Sequence, residues 1–350
     1  MTQLERFRAT VSGQRPDGVL YSADFTQDLK RRLIEHAGTE DLASHYGLFR
    51  PVGIGLRPPD GWRRPDFEVY YAAENLPEDT EINADGVAQI PSDFYHFRRY
   101  HSPLRNARSF DQIAAFPVPD QADWSADPMA GAVEQAHADG RVATAWVGHM
   151  YETAWQIRGY EPFLIDMMDH PDWAHGLLEK LFARNLNRAV AAARAGADCL
   201  HCGDDVANQN AMMFSVPMWR QFMLSRWAKV WAAAREIKPD IEIWYHSDGN
   251  IAAIIGELMA AGVTILNPVQ PECLDPAEVR RTYPDLNLHG TIGTQSTMPW
   301  GTPDEVRRVV AERIATCGAA GRLILGPTHV LEPEVPIANI EAYVQAAREG

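Results

Sequence analysis

Cysteine is scarce in this chain of 350 residues, with only Cys199, Cys202, Cys273 and Cys317. Their irregular spacing excludes a disulfide framework. Cys199-x-x-Cys202 has no second C-x-x-C to pair with. Residues three apart in a strand also point to opposite faces, so the pair is not read as a redox or zinc motif. The chain has no G-x-G-x-x-G, no P-loop and no G-x-S-x-G. These absences remove the dinucleotide, nucleoside-triphosphate and serine-hydrolase readings. No internal repeat is present, which excludes a solenoid. No apolar run approaches the ~20 residues of a membrane span, and Met1–Phe7 carries no apolar leader core. Positive charge is in deficit: 32 Lys and Arg against 47 Asp and Glu leave a net charge of −15. That excludes nucleic acid and an anionic membrane surface as partners. The expectation is a reduced, cytoplasmic protein that acts on a small molecule.

What is present reads as an α/β chain. A short N-terminal helix leads to a strand at Val19–Ser22, followed by a helix over Asp28–Ala37. From about residue 46 to 119, Pro and Gly become frequent and aromatics cluster at Phe67-Glu68-Val69-Tyr70-Tyr71. That pattern predicts a small antiparallel excursion, an irregular insert or lid. Asp120–Asp123 marks its junction. Beyond about Gly131, strand-like runs alternate with helical ones at βα spacing. The strands are placed at Val142–Gly148, Cys199–Gly203, Ile241–Tyr245, Thr264–Asn267, Leu286–Gly290 and Leu323–Gly326. Helices are placed at Trp173–Ala195, Pro217–Ile237, Ile251–Ala261, Pro303–Cys317 and Ile337–Glu349. Seven strands are visible and one more is easily hidden. A single (β/α)8 TIM barrel over residues 1–350, with the N-terminal helical and antiparallel excursion, fits this count better than an open sheet.

In such a barrel the chemistry sits just past the strand C-termini. Tyr245-His246-Ser247-Asp248-Gly249-Asn250 and Gly326-Pro327-Thr328-His329 both occupy such positions. His246 and Asp248 are two apart and so share one face. With His329 as third ligand they form a candidate divalent-metal site, zinc foremost. The alternative is a hydrogen-bonded barrel histidine, with Asp248 capping a helix that starts at Ile251. Asp204 and Asp205 follow the Cys199–Gly203 strand. Adjacent carboxylates there are costly unless paired, so with His246 they are the catalytic candidates. Glu152 and Arg158 lie beyond the Val142 strand as pocket candidates, although a Glu–Arg pair on a helix is commonly structural. Asn267, Gln270 and His289 supply substrate hydrogen bonds on the same rim. Trp219, Trp227 and Trp231 sit at helical spacing and read as core.

Taken in order, these motifs resemble the uroporphyrinogen decarboxylase superfamily, which includes cobalamin-linked methyltransferases. The matching pieces are Leu4-Glu5-Arg6-Phe7, Tyr151-Glu152 through Arg158-Gly159, Gly203-Asp204-Asp205 and Tyr245 through Ile251. Leu266 through Gln270, His289-Gly290-Thr291-Ile292 and Gly326 through Pro336 complete the set. The resemblance covers roughly the whole chain and implies a barrel with its pocket at the strand C-termini. Its decarboxylase branch uses an arginine-rich opening and an essential aspartate. Here the opening offers only Arg6, Arg8 and Arg15. Its methyltransferase branch uses zinc on a His-x-Cys pair and a later Cys. At those positions this chain has His246, Asp248 and His329, a harder and less thiophilic set. The reading is therefore a metal-dependent methyltransferase or demethylase of a small methylated substrate, with a corrinoid protein as potential acceptor partner. The alternatives are a carboxy-lyase in which Asp205 stabilises a protonated intermediate, and a non-catalytic tetrapyrrole- or corrinoid-binding barrel. A homodimer is the base-rate assembly.

Overall fold

Short runs of branched and aromatic residues form strands here, each closed by a glycine, proline or polar stop. The computed structural model describes residues 1–92 and 97–350. In chain order the strands are β1 (Leu20–Tyr21), β2 (Val52–Ile54), β3 (Glu81–Ile82), β4 (Ala88–Pro91), β5 (Arg98–His101) and β6 (Ala143–His149). They continue as β7 (Cys199–Gly203), β8 (Glu242–His246), β9 (Ile265–Val269), β10 (Asn287–Ile292) and β11 (Leu323–Pro327). Eight of them pair in the order β1-β11-β10-β9-β8-β7-β6-β2, and every pair is parallel. The two ends of that order approach each other, since the Phe49 N–H donates to the Tyr21 carbonyl at 2.7 Å. The sheet thus curls into a TIM-like barrel. The expected antiparallel excursion is the three-stranded sheet β3-β4-β5.

Period-two alternation sorts the side chains. Along β7, Cys199 packs inside the barrel with Leu4, Phe7 and Trp244, while Leu200 and Cys202 pack outward among the helices. The Trp231 indole N–H donates to Cys202 Sγ at 3.3 Å. Cys199-x-x-Cys202 therefore faces two ways and makes no motif. The helix Gln3–Val11, closed by a Thr2/Glu5 capping box, forms the barrel floor. Its Phe7 stacks on Phe49 with centroids 5.9 Å apart. Trp219, Trp227 and Trp231 are core, each at most 1% exposed.

Three details differ from expectation. The missing strand is β2, which lies inside the stretch read as irregular. The helix expected from Ile251 begins at Ile255. A turn precedes it, with Asn250 Oδ1 accepting from the Ala252 N–H, so Asp248 caps nothing and is left for the site. The stretch Pro217–Ile237 is interrupted by a π-helical turn at Arg220–Leu224. Among the described residues, no helix is long and apolar enough to cross a membrane.

Candidate active site

Strands β7, β8 and β9 run in parallel register, placing Gly203 beside His246 and His246 beside Asn267. Residues just past these ends therefore converge. His246 Nε2 lies 3.6 Å from Asp205 Oδ1. The Asp248 N–H donates to the same Oδ1 at 2.8 Å. Asp205, His246 and Asp248 each offer one ligand atom, and these atoms lie within 4.8 Å of one another. Burial raises the Asp205 carboxyl; His246 opposes the shift, and the charges of Glu152 and Asp248 push it further up. Carboxylates crowded in this way are relieved by a cation. Two carboxylates and an imidazole whose other nitrogen is already bonded suit a divalent ion.

The third member of this group is Asp205, where His329 was expected. The reason is topological: β7 adjoins β8, whereas β11 lies three strands away in the barrel order. His329 lines the cavity that His246 also walls, and shares the cleft on its outer rim with Asp248. That cavity, about 440 Å³, opens inside the barrel and is walled by His201, Trp244, His246, Asn267 and His289. Burial, reinforced by the like charge of His246, drives both His201 and His289 down to about 3, so both are neutral.

Asn267 and His289, expected to hydrogen-bond substrate, bond to each other and to the site. Asn267 Oδ1 is 2.6 Å from His246 Nδ1, and its Nδ2 contacts His289 Nδ1. His289 Nε2 lies 2.9 Å from Ser22 Oγ. Gln270 sits on the outer rim beside Asp248, accepting from the Gly249 N–H at 3.4 Å.

Asp204 and Asp205 part company. Asp204 is fully buried. It accepts from the Met150 N–H at 2.8 Å, the Glu152 N–H at 3.2 Å and the Trp227 indole at 2.8 Å. Burial lifts it to about 7 despite these donors and the charge of His149. It anchors the helix Tyr151–Arg158 and does not reach the cavity. Arg158, another expected pocket residue, is also structural. Its guanidinium bonds Asp166 at 2.6 Å and the Leu104 carbonyl at 2.7 Å. Glu152 lies behind Asp205, accepting from its N–H at 3.4 Å, and pairs with His149 Nδ1 at 2.9 Å.

His149 is the site residue that sequence reasoning missed. It ends β6, the same strand-end position that singled out His246. Burial alone would lower it. The hydrogen bond and charge of Glu152, with the charge of Asp204, outweigh burial and raise it to about 9. Its ring centroid is 6.3 Å from that of His246.

A parallel α/β barrel with titratable groups gathered past its strand C-termini is the architecture of a barrel enzyme. Residues 100–350 match the family model described as uroporphyrinogen decarboxylase (URO-D). The chain belongs to the uroporphyrinogen decarboxylase family. Among solved structures it is similar over its whole length to a methyltransferase from Methanosarcina mazei. The identity is 17% and the TM-score 0.68, covering 100% of this chain and 99% of that one. A second similarity is to xylanase 10B from Thermotoga petrophila, at 13% identity and TM-score 0.40, covering 70% and 84% of the two chains. At 17% identity the likeness to the methyltransferase is one of fold. No curated protein matches the chain in sequence.

Proposed function

We propose that this URO-D family enzyme is a metal-dependent methyltransferase or demethylase of a small methylated substrate. The observation that carries the reading is the Asp205–His246–Asp248 group past the strand C-termini, with His246 on the cavity wall. Those three residues would hold a divalent cation, zinc foremost, which supplies Lewis acidity toward the heteroatom that bears the methyl group. In the reaction the methyl group passes to a nucleophilic acceptor. The bonding pair stays on the heteroatom, which then takes up a proton. A corrinoid carried by a separate protein is the acceptor class we favour. The chain's own residues prepare this step. Asn267 orients His246, and Glu152 steadies the Asp205 backbone. His149, held protonated by Glu152, stores a proton beside the site.

The decarboxylase alternative needs cations for a substrate rich in carboxylates. Among the described residues, Arg50 is the one arginine on the cavity wall, and its charge acts on Asp41. The cavity also lies toward the lower end of the ~300–1,000 Å³ range of small-molecule sites. That size suits a small substrate better than a tetrapyrrole.

The test is metal analysis of the purified protein beside His246→Ala and His329→Ala, followed by assays with methylated substrates and a corrinoid acceptor. We expect about one divalent ion per chain, lost in His246→Ala and kept in His329→Ala. A metal-free wild-type protein that releases CO2 from carboxylated substrates would establish the lyase instead.

A further inference from the structure

Four side chains form a line through the cavity wall: His246 on β8, Asn267 on β9, His289 on β10 and Ser22 just past β1. The carboxamide of Asn267 presents its oxygen to His246 and its nitrogen to His289. An oxygen only accepts and an NH2 only donates. His246 Nδ1 must therefore carry a proton, and His289 Nδ1 must be bare. A neutral imidazole has one N–H. His289 thus carries its proton on Nε2 and donates to Ser22 Oγ, while the neutral form of His246 keeps its lone pair on Nε2, the nitrogen facing Asp205. Turning the carboxamide over would reverse every member. His246 would then carry its proton on Nε2 and could not ligate.

Strand β11 lies between β10 and β1 in the sheet order, so the His289–Ser22 bond must cross it. It crosses at Gly326. A Cβ there would stand 2.9 Å from Ser22 Oγ and 3.4 Å from His289 Nε2. Those distances are tight enough to displace one of them.

We propose that Ser22, His289 and Asn267 form a relay that fixes the tautomer of His246, with Asn267 as the positioning residue and Gly326 as the gap through which the relay passes. The tautomer claim stands on the hydrogen bonds alone. Only its consequence for metal affinity rests on the reading of His246 as a ligand.

The test is long-range 15N–1H correlation of the histidine rings in the metal-free protein, at a pH where they are neutral, with zinc titrations alongside. The wild type should show His246 protonated on Nδ1 and His289 on Nε2. Asn267→Asp keeps the acceptor for His246 but loses the donor to His289. It should leave His246 unchanged and move the His289 proton to Nδ1. Asn267→Leu should mix the His246 tautomers and weaken zinc binding by roughly 10–100-fold. Gly326→Ala should shift the His289 signals and admit the Nε2–H form of His246, although neither ring is substituted. A wild-type His246 protonated mainly on Nε2 would overturn the relay, and so would an Asn267→Leu protein with unchanged tautomers. If Asn267→Leu does not fold, the wild-type and Asn267→Asp spectra decide. Expected tautomers in a protein that binds no zinc would uphold the relay and refute the metal reading.

Discussion

Asp204 and Asp205 are neighbours in sequence with opposite fates, because consecutive residues at a strand end point to opposite sides. Sequence shows the pair but not which member faces the barrel axis. The same limit applies to Arg158, whose type suits a pocket or an ion pair equally. Its bonds to Asp166 and Leu104 predict that Arg158→Ala costs about 3–5 kcal/mol of stability by stranding a buried carboxylate, while zinc binding is retained. Denaturant melts beside metal titrations check both halves. His149 makes a second prediction. Its folded value of about 9 lies above the ordinary 6.5, so the folded protein holds this proton more tightly than the unfolded chain does. The stabilisation is complete below about pH 6.5 and is lost as pH rises through about 9, at most about 3 kcal/mol. The Tm of the metal-free protein should fall across that window, and His149→Gln should flatten the slope. An equal slope in the variant would assign it elsewhere.

At the scale of elements, the strands after residue 140 were legible to within a residue or two, since each apolar run ends at Gly, Pro or a polar stop. β2 was not, because Val52-Gly53-Ile54 is three residues long and lies between Pro51 and Gly55, among signals that read as turn. His329 is a related case. Its strand end was placed correctly, but sequence gives no strand order, and the order decides which ends can share an ion. Where β7 and β8 end together, Gly203 does what no other residue could. A Cβ there would overlap the His246 backbone carbonyl. Gly203→Ala should therefore cost about 3 kcal/mol or more and push His246 off Asp205. The expected readout is a lowered Tm together with lost zinc binding. Intact zinc affinity in a folded variant would count against the close approach of these strands.

For the whole molecule, the floor matters as much as the mouth. Leu4 and Phe7 seal the barrel against Trp244, Ile265 and Ile324, so the interior is a blind well entered from the catalytic side. Phe7→Ala should cost about 3–5 kcal/mol, measurable in a denaturant melt. A near-neutral result would mean that the helix rests on the barrel without filling it. The family resemblance in the sequence foresaw the barrel but not this plug, whose residues read only as a short N-terminal helix. The seal also sets a timetable. Leu20 and Tyr21 find their strand partners at Ile324 and Leu325, some three hundred residues later in synthesis. Until then the nascent chain has an open sheet with two unsatisfied edges and a helix at its head whose Leu4 and Phe7 face is uncovered. Contacts so distant in sequence are slow to form. Ribosomal pausing late in the message, or a chaperone that shelters the first fifty residues, would therefore bear directly on the yield of this protein.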